Sequence, residues 1–259
     1  MTRTRRATVA MLLVGLAIFS SLYSTQAILP TLVQNMGLSS TEAAMTVSAA
    51  TGALALCVVP ASILSERFGR GRILLISAVS ATSVGLIVPL AAEGWHLILL
   101  RGLQGALLSG APATAMAWLS EELDDKALPR AMGLYIAGTS VGGLTGRLIP
   151  TGLVEISTWR WALFGSALVS LAFAITSWLL LPAQRNFRPK SIHLTSESRA
   201  LFGHWANRDL ALLFLTAFLS MGTFVSMYNF LTFRLIDDFG LAPSLAGLAF
   251  LFYLSGTWS

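Results

Sequence analysis

A chain of 259 residues with 55% apolar side chains, 11% charged ones and a mean hydropathy of +0.72 has too little polar surface to coat a soluble globule, so lipid must do the coating. The net charge of +5 does not mark a nucleic-acid binder, because the basic residues sit in short clusters between long apolar runs, with no basic stripe interleaved with aromatics. Cys57 is the only cysteine and lies inside an apolar run, which excludes an intrachain disulfide and a cysteine metal cage.

Arg3, Arg5 and Arg6 precede an apolar stretch from Ala7 to Leu29, longer than the roughly 7 to 15 residues of a signal-peptide core, so it is expected to stay as a first membrane helix. Gly37, then Ser39 with Glu42 three residues on, forms a capping box that starts the second helix. Runs long enough to cross a hydrocarbon core of about 30 Å fall at about 7–30, 43–64, 73–92, 97–118, 132–154, 161–182 and 210–233, and an eighth opens near Ser244. Short connections leave no room for an extramembrane domain, so the expected fold is an all-α polytopic helical bundle. Trp95, Trp118, Trp159, Trp161, Trp178 and Trp205 fall at or just beyond span ends, where amphipathic rings sit at the headgroup level.

With the N-terminus in the cytoplasm, the cytoplasmic segments hold thirteen of the 17 basic residues, in clusters around Arg5, Arg70, Arg130 and the 185–208 stretch. The opposite orientation leaves only Arg160 and Arg234 there, so the positive-inside rule selects the first. The polar stretch after the sixth span divides the chain into a six-helix half at 1–182, a cytoplasmic linker at 183–208 and the start of a second half at 209–259. Sliding the chain on itself by 203 residues supports this division: Gln26 meets Asn229, Asn35 meets Asp238, Gly37 meets Gly240, Leu38 meets Leu241 and Ala43 meets Ala246. Both copies have the same orientation, the parallel-repeat arrangement of two transporter halves. The last run has about 16 residues where about 20 are needed to span, so the chain is expected to be the first two-thirds of a longer protein whose second half is missing.

The loop after the second span reads S-I-L-S-E-R-F-G-R-G-R from Ser62 to Arg72. It resembles the G-x-x-x-D-R-x-G-R-[RK] signature of the major facilitator superfamily, with Arg67, Gly69 and Arg70 matching, Ser62 in place of Gly, Glu66 in place of Asp and Gly71 in place of a basic residue. The fourth span carries Arg101, Gln104 and Gly105, similar to the family's R-x-x-q-G pattern. The fifth carries G-T-S-V-G-G-L-T-G-R, which resembles the antiporter pattern g-x-x-x-G-P-x-x-G-G except that Gly143 replaces Pro and Arg147 the last Gly. Tyr23, Gln26, Pro30, Gly133, Tyr135, T-W-R-W around Arg160 and the closing L-S-G-T-W-S extend the resemblance over the whole chain, to inner-membrane transport proteins of this superfamily.

The resemblance implies a multi-pass secondary transporter of the cytoplasmic (inner) membrane that moves a small solute by alternating access, with proton-coupled efflux as the leading reading. An uptake permease of the same fold, or a non-transporting membrane sensor, are the alternatives. The chain offers no phosphate-cradling G-x-x-x-x-G-K-[ST] loop, since neither lysine follows a glycine, and no Asp or Glu falls inside a span beside a nucleophile. His96, His193 and His204 are expected in loops. A pump engine and an enzyme are therefore excluded, no cofactor is implied, and the expected partners are the solute, protons and the lipid bilayer.

Polar residues facing the repeat interface are the candidate solute pathway: Tyr23, Gln26, Arg101, Gln104, Tyr135 and Asn229, with Ser226 and Tyr228 behind them. Ser62, Glu66, Arg67, Gly69 and Arg70 are the candidate gating loop. Gly138, Gly142 and Gly146, at i, i+4 and i+8, make one bare helix face for close packing or for bending during gating. Arg101 needs a partner, because an arginine at membrane depth costs on the order of 2.5 to 3.5 kcal/mol. Snorkelling, helix-end carbonyls, an acid from the other half and an anionic solute are the candidates, and Arg147 poses the same question beside its glycines.

Overall fold

A computed structural model describes residues 1–189 and 207–251, and among these there is no strand. The elements are α1 (Arg3–Leu22), a 3-10 turn (Gln26–Ile28), α2 (Leu29–Met36), α3 (Ser40–Phe68), α4 (Arg70–Gly85), a 3-10 turn (Val88–Leu90), α5 (Gly94–Leu108), α6 (Gly110–Glu122), α7 (Leu128–Ile156), α8 (Trp159–Leu180), α9 (Arg208–Asp237), α10 (Pro243–Leu248) and a 3-10 turn (Ala249–Leu251). Most of the 183–208 stretch lies outside the described residues, as do His193, His204, Trp205 and the closing motif. Five helical stretches are long and apolar enough to cross a membrane: Arg3–Met36, Ser40–Phe68, Arg70–Leu90, Trp159–Leu180 and Arg208–Asp237.

The capping box at α3 is formed: Ser39 Oγ accepts from the Glu42 amide at 3.2 Å, and the Glu42 carboxylate accepts from the Ser39 amide at 2.8 Å. Three expected spans are broken instead of continuous, the third only near its end, where the helix stops at Gly85 ahead of the 3-10 turn that holds Pro89. The first helix stops at Leu22 and resumes at Leu29, where Pro30 lies in the first turn. Proline lacks the N–H that a continuing helix needs, and the carbonyls released at the end of α1 find another donor, described below. The fourth span runs through α5 and α6, interrupted at Ser109 ahead of Pro112. At this break the Ser77 hydroxyl donates to the Leu107 carbonyl. The fifth span is α7, whose glycines, Thr139, Ser140 and Arg147 dilute its hydropathy.

α1 is the centre of the bundle, packed between α7 and α8, while α3 packs on α5 and α4 on α6 and α8. Lipid offers no hydrophobic drive between helices, so close backbone approach and interhelical hydrogen bonds must hold them. On the α1–α7 seam a Cβ at Gly142 would lie 2.8 Å from the Gly15 and Leu16 carbonyl oxygens, and Gly138 and Gly146 face Leu12 and Ser20 as tightly. On the α1–α8 seam Ser170 donates to Ser20 Oγ at 3.0 Å and Ser177 to the Ala10 carbonyl at 3.1 Å. Met11, Ile18, Leu74, Leu108 and Trp118 fill the core towards one end, and Leu29, Leu32, Val47, Leu97 and Trp159 towards the other.

Trp118 and Trp159 thus depart from the expected headgroup placement: they are 0% and 5% exposed, whereas Trp95, Trp161 and Trp178 are exposed. Their positions near helix ends are as expected, but the facing helices cover them. The 203-residue shift is visible in the backbone. Gly37 and Gly240 have φ of 66° and 63°, and α3 begins at Ser40 where α10 begins at the equivalent Pro243.

Candidate functional site

The break between α1 and α2 carries Tyr23 and Gln26 inward, towards Arg147 on α7. Arg147 Nε donates to Gln26 Oε1 at 2.8 Å, and its Nη1 donates to the Gly143 carbonyl one turn back at 2.7 Å. The guanidinium lies over the Tyr23 ring at 4.2 Å, with Phe250 at 5.1 Å and Tyr228 at 5.4 Å. Gln26 Nε2 in turn donates to Asn229 Oδ1 on α9 at 2.6 Å. Gln26 and Asn229 are the pair superimposed by the 203-residue shift, so the two repeats meet through equivalent amides. Arg147, Gln26 and Asn229 are 3%, 0% and 4% exposed. Beside them opens a cavity of about 80 Å³ lined by Phe19, Tyr23, Thr139, Ser140, Gly143, Arg147, Met221 and Phe224. A buried cation framed by ring faces and amides favours an electron-rich or anionic group beside it.

Arg101 and Gln104 form a separate cluster. Arg101, on α5, is 0% exposed, so it does not snorkel. It donates to the Ser21 carbonyl at 3.0 Å, to the Leu22 carbonyl, to Gln104 Oε1 and to the Thr46 carbonyl at 3.3 Å. The helix-end carbonyls released where α1 stops are therefore its partners. Gln104 Nε2 donates to Ser21 Oγ at 2.7 Å and to the Ala81 carbonyl at 3.2 Å, locking α5 onto α1 and α4. The polar cavity of about 10 Å³ next to Gln104, Ser21 and Ser166 has room for one water. Tyr135 lies buried along the α1–α7 seam, in the core cluster that also holds Met11, Ala131 and Tyr23.

The candidate gating loop sits where α3 turns into α4, with Gly69 at φ 101°, a conformation that favours glycine. Arg70 Nε meets Glu121 Oε1 at the end of α6 at 2.6 Å, and its Nη2 meets Glu66 at 3.5 Å. A cation at a helix C-terminus is electrostatically favoured. Next to it Glu122 takes Arg3 and the Arg185 and Asn186 amides, so α1, α6 and the segment after α8 are joined. Arg67 is exposed and stacks over Phe68 at 5.5 Å. Ser62, which replaces the family glycine, is half-buried, and its carbonyl accepts from Ser65 Oγ at 2.6 Å.

The structure thus joins Tyr23, Gln26 and Asn229 around Arg147, places Arg101 and Gln104 in a separate hydrogen-bonded cluster, and leaves Tyr135 in the apolar core that Tyr23 also enters. Sequence reasoning undervalued Arg147 and missed Phe250, Glu121 and Glu122. The signal for Arg147 was its departure from the glycine of the antiporter pattern; for the two acids it was their place at the end of a span on the side rich in arginine. Among the described residues no group of His, Cys, Asp and Glu gathers with metal-ligand geometry.

A family model for the Major Facilitator Superfamily matches residues 11–258. The chain is 37% identical over 256 residues to the inner membrane transport protein YnfM of Escherichia coli (strain K12), a match covering 98% of this chain and 61% of that protein. It therefore spans about three-fifths of that relative's length. Its fold is similar to that of a bacterial homolog of the human lysosomal transporter Spinster in an inward-facing, unoccupied conformation, with a TM-score of 0.76 at 16% identity over 96% of this chain and 59% of that one. It is also similar to the D-xylose-proton symporter, with a TM-score of 0.64 at 15% identity over 97% and 66% of the two chains.

Proposed function

The chain belongs to the major facilitator superfamily, a family of transporters and not enzymes, and from that premise we propose that it moves a small organic solute across the cytoplasmic (inner) membrane by alternating access, as a secondary active transporter. The observation that carries the reading is the Arg147–Gln26–Asn229 chain, which joins equivalent positions of the two repeats beside an aromatic-lined cavity. Transporters of this architecture bind solute at the repeat interface and rock one repeat against the other. A contact spanning that interface exchanges its partners when the interface opens, and a solute bound by Arg147 alters the balance between the two states.

The glycine row on α7 supports efflux in exchange for protons, since it resembles the antiporter pattern. The N-terminus and the 183–208 linker face the cytoplasm in this proposal, on the count of basic residues. The opposite wall of the pathway comes from a C-terminal helical half, a portion of the relatives that this chain does not span. Tyr23, Gln26, Asn229 and Arg147 bind solute. Glu66, Arg67 and Arg70 govern the switch between inward and outward states, and Gly138, Gly142 and Gly146 form the bearing on which α7 moves over α1.

The test fuses the chain to the C-terminal helices of the YnfM relative, expresses it in cells and measures accumulation of a panel of labelled organic anions and aromatic compounds. The expected result is reduced accumulation of at least one compound, abolished by Arg147→Ala with membrane levels unchanged. Parent-level transport by Arg147→Ala and Asn229→Ala would remove this site from the pathway.

A further inference from the structure

A larger cavity, of about 530 Å³, opens beneath the α3–α4 turn, at the end of the bundle that carries the N-terminus and far from the solute site. Its polar lining is Arg67, Arg72, Trp118 and Gln184, and Leu75 and Pro182 contribute apolar wall. Trp118 is wholly buried, yet its indole N–H has no hydrogen-bond partner, and the Gln184 side-chain NH2 has none either. Leaving two buried donors unmet is costly, and such groups call for a missing acceptor. Trp118 and Gln184 flank the bare Gly71: a Cβ there would lie 2.8 Å from Trp118 Nε1 and 3.4 Å from Gln184 Oε1, which accepts from the Gly71 amide.

The electrostatics of the spot have one sign. α4 starts here with no cap from its own N-cap residue, Gly69, and with its Gly71 amide held by Gln184 Oε1; its first turn has no acid, and Arg70 and Arg72 lie against the positive end of its own dipole. Arg70 is neutralised by Glu66 and Glu121, whereas among the described residues neither Arg67 nor Arg72 is ion-paired. Two guanidinium groups outside any ion pair, two buried N–H donors and the positive end of a helix dipole suit a phosphate.

We propose that this cavity binds the phosphate of an acidic glycerophospholipid headgroup, with Arg67 and Arg72 closing over it from the outside and Trp118 and Gln184 donating from within. The apolar wall of Leu75 and Pro182 gives the glycerol and first acyl carbons a place that free phosphate leaves empty. Such a lipid ties the gating turn to α6 and to the segment after α8, so its occupancy sets how firmly that end is closed.

The test titrates short-chain phosphatidylglycerol into the purified chain in neutral detergent, reading calorimetric binding and the far-UV thermal midpoint, with short-chain phosphatidylcholine and inorganic phosphate as parallel arms. The expected result is saturable phosphatidylglycerol binding that raises the midpoint, weaker binding of the other two, and a Kd about tenfold weaker in Arg67→Gln/Arg72→Gln, the loss of charge-assisted bonds worth one decade. Trp118→Phe removes the N–H together with one fused ring, so its lipid-free midpoint should fall through the cavity it leaves, and phosphatidylglycerol binding should in addition weaken several-fold. Lys126→Gln removes a cation elsewhere and should change nothing. Equal phosphatidylglycerol affinity in parent and double variant would overturn the site, and phosphate or phosphatidylcholine binding as tightly as phosphatidylglycerol would overturn the lipid assignment.

Discussion

Replacing Arg101 by Leu separates two costs that act on different steps. In the assembled bundle the substitution removes donors from five acceptors, Ser24 Oγ at 3.5 Å being the weakest of them. Ser21 O keeps the Ser24 hydroxyl at 3.0 Å, and Thr46 O lies within the α3 helical ladder. Leu22 O and Gln104 Oε1 are left without a donor. At roughly 1 to 3 kcal/mol per orphaned buried group, assembly should weaken by about 2 to 6 kcal/mol. Insertion of α5 should improve by about 2.5 to 3.5 kcal/mol, because the charge no longer enters the bilayer alone. Arg101→Leu should therefore reach the membrane at least as well as the parent yet unfold at lower denaturant. Arg101→Lys should fall between, since a point charge cannot reproduce the planar fork that spans Ser21, Leu22 and Gln104. Detergent-titration unfolding followed by far-UV circular dichroism, alongside membrane-fraction yields, measures the two steps. An Arg101→Leu protein within about 0.5 kcal/mol of the parent would refute the lock, since that is the scatter of substitutions that touch nothing.

Gly142→Leu should separate α1 from α7 and cost about 3 kcal/mol or more through overpacking, whereas Gly152→Ala on the same helix, where a Cβ meets nothing within 4 Å, should gain about 0.5 to 1 kcal/mol; thermal unfolding of both distinguishes a packing seam from a general intolerance of α7. A double-mutant cycle of Gln26→Leu and Asn229→Leu should return a coupling of about 0.6 to 1.7 kcal/mol, and a value indistinguishable from zero would dissolve the link between the repeats. Arg70→Ala should slow transport by the fused protein with solute affinity nearly intact, because Glu66 and Glu121 lose their cation far from Arg147; lost affinity at normal turnover would contradict a gating role.

Much of the architecture was readable along the chain because its causes are local. An apolar run of sufficient length inserts whatever surrounds it, Ser39 caps α3 within three residues of itself, and a shift of 203 residues exposes the repeat that pairs Gln26 with Asn229. The helix breaks at Leu22 and Ser109 were only half legible: Pro30 and Pro112 mark the missing donors, but a proline also occurs inside continuous helices, as exposed Pro60 does in α3 and buried Pro150 in α7. Arg101 and Arg147 look alike in sequence, each an arginine within a glycine-bearing span. Their fates diverge because Arg101 faces the carbonyls of a helix that stops at Leu22, which consume its donors, while Arg147 faces the ring of Tyr23 and, across the repeat interface, those of Tyr228 and Phe250. Trp118 likewise reads as an interfacial ring until α4 and the segment after α8 are laid over it. Hydrophobic length and capping are properties of a segment, but the partner of a buried charge is a property of whichever helix end is brought opposite, and only the packed bundle decides that.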